Sequence, residues 1–287
     1  MLTGCSSNAP ATPTSVTISG GSDSESPAKS VFKPSETVTY VRDLTMDVFK
    51  PAPADALHLA VVLIHGGGWA GGDKTQMNEI SYYLAQKGFV AASIDYRLAP
   101  ISVWPAELLD AQSAVQYIRA HAKDLDINPD KIGAAGISAG GHLAMFLGAV
   151  DSWIPESKPA PSSRVQAVGS ISGIHDLNMP LTTAGDKFQI VELLLSETGK
   201  PDKKKRGAAS PINYTDAKTA PTFFIQGMAD PVVPASQTVA ATKRLESLKV
   251  PTEAVYIDGM GHGLDPTRPA QKQALDKLVQ WLKKYLK

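Results

Sequence analysis

The segment Gly136-Ile137-Ser138-Ala139-Gly140-Gly141-His142 holds a serine with a glycine two positions before it and another two positions after it. Small residues at those places allow a tight strand-to-helix turn that pushes the hydroxyl into the open. The helix N-terminus behind such a turn favours developing negative charge. A serine hydroxyl is a weak nucleophile until a neighbouring base takes its proton. Two later segments carry groups for that work. Asp230 stands in Gly227-Met228-Ala229-Asp230-Pro231-Val232-Val233-Pro234, and His262 in Gly259-Met260-Gly261-His262-Gly263. The expected roles are Ser138 as nucleophile, His262 as general base and Asp230 as the carboxylate that orients the imidazole. Asp258 competes for the acid role. It is too near His262 along the chain to approach from the next strand.

Attack on an acyl carbon puts negative charge on the former carbonyl oxygen, and backbone N–H groups aimed at that oxygen are usually the largest electrostatic contribution. The segment His65-Gly66-Gly67-Gly68-Trp69 suits that task. Gly67 and Gly68, together with Ala139, are the expected oxyanion-hole donors. A phosphate-binding loop would show G-x-x-x-x-G-K-[ST], which this stretch lacks. His65 is expected to order the loop and Trp69 to line the substrate pocket. His142 is read as packing locally, Asp176 as a support or cap residue, and His58 and His121 as surface residues. No group of side chains has zinc-ligand spacing, so no metal is expected.

These residues need a scaffold that brings them to one edge. Leu59 to Ile64 (LAVVLI) is a short apolar run, as expected for a strand buried on both faces. Further strands are expected at 89–94, 131–137, 165–171, 222–226 and 252–257. Helices are expected at 75–87, 105–122, 139–150, 235–248 and 270–286. Leu108, Ala111, Val115 and Ile118 repeat at spacings of 3, 4 and 3, one face of a helix. Such alternation predicts an α/β fold with a mainly parallel central sheet and helices on both faces. Residues 37–50 read as two antiparallel strands at its edge. Residues 173–215 interrupt the alternation and are read as a small cap insertion, with a helical piece at 188–195. Ser138, Asp230 and His262 then all follow strand C-termini, the edge where such sheets bind ligands.

Lys+Arg and Asp+Glu are both 28, so the chain lacks the basic excess of a nucleic-acid binder, and no nucleic-acid partner is expected. Lys203-Lys204-Lys205-Arg206 is read as a solvated loop. No apolar run reaches the roughly 18 residues of a membrane helix. Cys5 is the single cysteine, so no intramolecular disulfide forms and the core must hold the fold. Leu2-Thr3-Gly4-Cys5 resembles the lipobox of bacterial lipoproteins, but the charged start and apolar stretch of a working signal do not precede it. Either a truncated export signal or a chance match is expected, and truncation is the reading taken. Residues 6–36 hold nine Ser, three Thr and four Pro, too little apolar surface to order the segment. Residues 1–36 are therefore read as a disordered tether and 37–287 as the catalytic domain. The expected placement is extracytoplasmic, anchored to a bacterial membrane through lipidated Cys5.

Several segments together resemble the α/β-hydrolase carboxylesterases of the hormone-sensitive-lipase type, and more closely the feruloyl/acetylxylan-esterase-like group. They are HGGGWAGGDK at 65–74, DYRLAP at 95–100, GISAGGHLA at 136–144, ASPINY at 209–214, GMADPVVP at 227–234 and GMGHG at 259–263. The resemblance implies an α/β-hydrolase fold and hydrolysis of short-chain acyl esters without a cofactor. It also implies a small ester substrate, such as an acylated or feruloylated carbohydrate. The chain departs from hormone-sensitive-lipase relatives at Ile137, where they usually have Asp, and at Ile101, where they carry Glu. The same machinery could serve a formamide or a short peptide, and a retained hydrolase scaffold could serve as a surface binding protein.

Overall fold

The computed structural model describes residues 14–18, 32–153, 160–181, 190–197 and 202–287. LAVVLI forms β4 (Leu59–Ile64), buried along its whole length. Its side chains alternate between two cores, as a period of two requires. Val62 and Ile64 join α2 (Ala106–Ala120) and α3 (Ala139–Ala149) on one face. Val61 and Leu63 join α1 (Asn78–Gln86) and α7 (Pro269–Leu286) on the other. Helices on both faces are why this strand needs no polar side. The helix stripe read from spacing is the one that packs: Leu108, Ala111, Val115 and Ile118 are fully buried, and on α7 so are Leu275, Leu278, Leu282 and Leu286.

The remaining strands are β1 (Thr14–Ile18), β2 (Glu36–Val41), β3 (Leu44–Phe49), β5 (Phe89–Ile94), β6 (Ile132–Ile137), β7 (Ala167–Ile171), β8 (Thr222–Gly227) and β9 (Thr252–Ile257). They lie in the order β1-β9-β8-β7-β6-β4-β5-β3-β2. β2 and β3 pair antiparallel, β3 pairs antiparallel with β5, and every other pairing is parallel. Seven neighbouring parallel strands, β1 to β5 in that order, thus end on one edge, and the loops after them converge there. α6 (Ser236–Ser247) covers β8 and β9, with Ala241 and Leu245 against Phe224 and Ala254.

Two expectations need correction. Thr14–Ile18 is not part of an unstructured tether: it extends the sheet beside β9, with Ile18 packed on the core. Backbone pairing along an existing edge gives order that side-chain composition alone does not reveal. Cys5 lies outside the described residues. The run Lys203–Arg206 is not a loop but opens α5 (Lys203–Ala208). Asp202 caps it, accepting from the Lys204 and Lys205 N–H groups at 2.8 and 3.1 Å. The three lysines are exposed, whereas Arg206 turns inward to Glu192 and Glu197. In the inserted region, α4 (Ile190–Leu195) buries Val191, Leu194 and Leu195, and the Trp104 N–H ties to the Leu194 carbonyl at 2.9 Å.

Candidate active site

Ser138 stands between β6 and α3 with φ 57° and ψ −117°, a left-handed backbone that costs a non-glycine residue energy. Packing holds it there. A Cβ on Gly136 would lie 2.3 Å from the Gly140 carbonyl carbon, and a Cβ on Gly140 would lie 2.0 Å from the Ile64 carbonyl oxygen. Both glycines are therefore demanded by backbone crowding. The Ser138 N–H donates to the Ile171 carbonyl at 2.9 Å, which locks the turn to the next strand.

The loop after β4 runs directly against this turn: a Cβ on Gly66 would stand 3.3 Å from the Ser138 Cβ. Gly67, Gly68 and Trp69 all have positive φ (102°, 60° and 59°). The Gly67 carbonyl turns inward and accepts from Ala70 and Gly71 N–H at 3.1 Å each. The N–H groups of Gly67, Gly68 and Ala139 have no hydrogen-bond partner among the described residues. Preorganised donors of that kind are what an oxyanion requires.

His65 orders the loop. Its buried Nδ1 donates to the Gly66 carbonyl at 2.7 Å, and its ring stacks on Tyr96 at 4.3 Å. Burial pushes its pKa down and so favours the neutral imidazole. The Tyr96 hydroxyl reaches the His65 carbonyl at 3.1 Å and the Gly66 carbonyl at 3.3 Å. Farther along, Asp95 accepts from the Lys74 backbone N–H (2.9 Å), the Lys74 ammonium (3.1 Å) and the Thr45 hydroxyl (2.9 Å). Tyr96 and Asp95 thus brace the loop from β5. Both lie in DYRLAP at 95–100, but their bracing roles depend on contacts across the sheet that the motif alone does not give.

Asp230 follows β8. Its Oδ2 accepts from His262 Nδ1 at 2.8 Å, and its Oδ1 accepts from the Val232 and Val233 N–H groups at 2.8 and 2.9 Å. Burial alone would raise its pKa, but the imidazole and the two backbone donors outweigh burial and hold it below the usual carboxylate range. The Asp230 loop is tied to the His262 loop through Ala229 N–H to the Met260 carbonyl (3.0 Å). Asp258 is exposed, and its backbone N–H donates to the Ile18 carbonyl at 3.2 Å. The imidazole partner is Asp230. Ser138 lies on the same edge, two strands from Asp230, yet its hydroxyl is not hydrogen-bonded to His262 among the described residues. Such bonds commonly tighten only when substrate arrives.

Trp69 departs from expectation. Its side chain is fully buried, edge-on to His142 at 5.0 Å, so it supports the site from beneath and presents no surface to a ligand. The left-handed backbone at Trp69 turns the ring into the core. His142 packs locally, as expected, with Nε2 donating to the Ala209 carbonyl at 2.7 Å. Asp176 accepts from the Asn178 N–H, and its own backbone is gripped by Gln237, which binds the His175 and Asp176 N–H groups and the Asp176 carbonyl at 2.9 Å each. Asp176 therefore helps hold the loop after β7.

The chain is 30% identical, over 79% of its length, to a probable carboxylic ester hydrolase LipM of Mycobacterium tuberculosis. It spans about half the length of the curated relatives it matches. Among solved structures it resembles a thermophilic esterase of Thermogutta terrifontis with propionate bound: 27% identity, TM-score 0.74, covering 87% of this chain and 93% of that one. An acetyl ester-xyloside bifunctional hydrolase of Caldicellulosiruptor lactoaceticus shares the fold at TM-score 0.75 and 22% identity, covering 89% of this chain and 98% of that one. Residues 46–245 match BD-FAE, and the chain belongs to that family of the α/β-hydrolase fold.

Proposed function

We propose that the chain is a serine carboxylesterase that hydrolyses short-chain acyl esters through Ser138, His262 and Asp230. The observation that carries the reading is the 2.8 Å bond between Asp230 and His262, formed on the edge where the strained Ser138 turn faces unpaired N–H groups. His262 Nε2 takes the hydroxyl proton as Ser138 Oγ attacks the carbonyl carbon. The N–H groups of Gly67, Gly68 and Ala139 receive the negative oxygen. The bond to the alcohol oxygen breaks as His262 returns the proton to it, leaving an acyl-serine. Water, losing a proton to His262, then attacks the acyl carbon, and Ser138 Oγ leaves with that proton. Asp230 keeps the imidazole in the tautomer that accepts at Nε2.

The propionate-bound Thermogutta relative supports a short acyl group. The family resemblance points to an acylated carbohydrate as the alcohol part, tested by release of acetate or ferulate from esterified oligosaccharides. Anchoring outside the cytoplasm through Cys5 stays with this proposal, and mass analysis of the N-terminal peptide checks it. The deciding experiment combines a fluorophosphonate probe with Ser138→Ala, assayed on aryl esters, formamides and peptides. The parent chain takes one phosphonyl group on Ser138, and the variant loses about six orders of magnitude in turnover. A variant that keeps a tenth of the activity ends the proposal.

A further inference from the structure

Ile190, the first residue of α4, lies against the oxyanion loop. A methyl group placed on Gly68 would stand 3.0 Å from Ile190 Cγ2, 3.3 Å from its Cβ and 3.6 Å from its Cδ1. The isoleucine is only partly buried, and its side chain packs at the margin of the core that holds α2 and α3. An apolar wall therefore stands beside one of the expected N–H donors.

The sheet order tells which part of an ester would meet that wall. Asp230 and His262 follow β8 and β9, on one side of β6. β4 and β5 lie on the other side. α4 belongs to the β4–β5 side: Leu194 accepts from Trp104, just before α2, and Val191 and Leu194 enter the core that α2 lines. When the intermediate collapses, His262 must reach the alcohol oxygen to protonate it, so the alcohol lies toward β8 and β9. The negative oxygen points at the loop N–H groups. The remaining substituent, the acyl chain, is directed away from the imidazole, toward Gly68 and Ile190.

We infer that Ile190 is a specificity-determining residue whose side chain limits acyl-chain length, an inference that rests on the esterase reading above. An acetyl methyl fits in front of it, whereas a long chain meets Cγ2 and Cδ1. The inserted region thus sets selectivity by one side chain at the oxyanion loop.

The test measures kcat/KM for p-nitrophenyl acetate, butyrate and octanoate with the parent, Ile190→Ala and Ile190→Phe. A second series fixes acetate and varies the alcohol. Removing the wall should raise the octanoate-to-acetate ratio by about tenfold, and enlarging it should lower the butyrate-to-acetate ratio by about as much, the scale of a methylene or two in an apolar pocket. The alcohol series should keep its order in both variants. Opposite shifts in the two variants support the inference, and either folded variant alone reads the direction. Acyl ratios that stay put in an active variant overturn it, and so does a change confined to the alcohol series. A parent enzyme inactive on every ester removes the esterase reading and this inference together, a result distinct from active enzymes with unmoved ratios.

Discussion

Glycine-rich turns carry both the nucleophile and the histidine, but the two turns are built for different reasons. At the nucleophile every glycine is crowded: a Cβ on Gly136 or Gly140 would overlap backbone atoms at 2.3 or 2.0 Å. Around His262, a Cβ on Gly259, Gly261 or Gly263 would meet nothing within 4 Å. Gly259 and Gly263 have positive φ (71° and 96°), while Gly261 does not. The serine side is thus fixed by packing, and the histidine side by turn conformation and the Asp230 bond. Their histidines differ in the same way. His142, on α3 behind the nucleophile, is wholly buried among Trp69, Trp104 and Phe146. His262 keeps a quarter of its side chain exposed. One half is preorganised, and the other has room to adjust when substrate binds.

Gly140→Ala should have the largest effect. Its methyl collides with the Ile64 carbonyl, and neither the strand nor the helix can move without opening the core. We expect a loss of about 3 kcal/mol or more in urea unfolding, with activity lost as the turn opens. A stable, active Gly140→Ala protein would break the contrast between the two turns.

Acid stability should sharpen it. Burial pushes the His142 pKa down to about 4 and His175 to about 3. Below the ordinary value of about 6.5 the unfolded chain takes up these protons while the folded chain does not, so stability falls as pH drops. For His142 the loss runs from about pH 6.5 to about pH 4 and amounts to about 3 kcal/mol. His142→Gln keeps a donor for the Ala209 carbonyl without a titrating ring. Unfolding curves across that range should show a flatter acid limb in the variant. An unchanged limb would mean that burial of His142 does not govern acid stability.

Gly261→Ala should have the smallest effect, within about 0.5 kcal/mol of the parent by thermal unfolding. The position needs neither open space nor positive φ. A large loss there would show that the histidine turn is as tightly packed as the nucleophile turn.

Much of this was legible in the chain itself. The strands 59–64, 89–94 and 252–257 have the expected bounds, and those expected at 131–137, 165–171 and 222–226 shift by a residue or two. Apolar runs and helical spacing are local, so they survive without knowledge of neighbours. Helix 75–87 opens instead as a 3-10 turn, Lys74–Met77, because Asp73 caps it there. What failed locally was decided at a distance. Trp69 had a plausible place on the pocket wall until the turn of its backbone sent the ring inward. Thr14–Ile18 carried few apolar side chains, and its order comes from the β9 edge. Arg206 joined a charge run in sequence but finds two glutamates in space.

The amino-acid order by itself determined which segments become strands and helices, and it placed a serine, an aspartate and a histidine after parallel strands. Only the tertiary structure decided which carboxylate meets the imidazole, which side chains brace the Gly67–Gly68 loop and what stands in front of it. The physical reason is range. Periodicity and turn chemistry act over a few residues, whereas Asp230–His262, Tyr96–His65 and Ile190–Gly68 join groups from different strands and an insertion, and those distances exist only once the sheet is assembled.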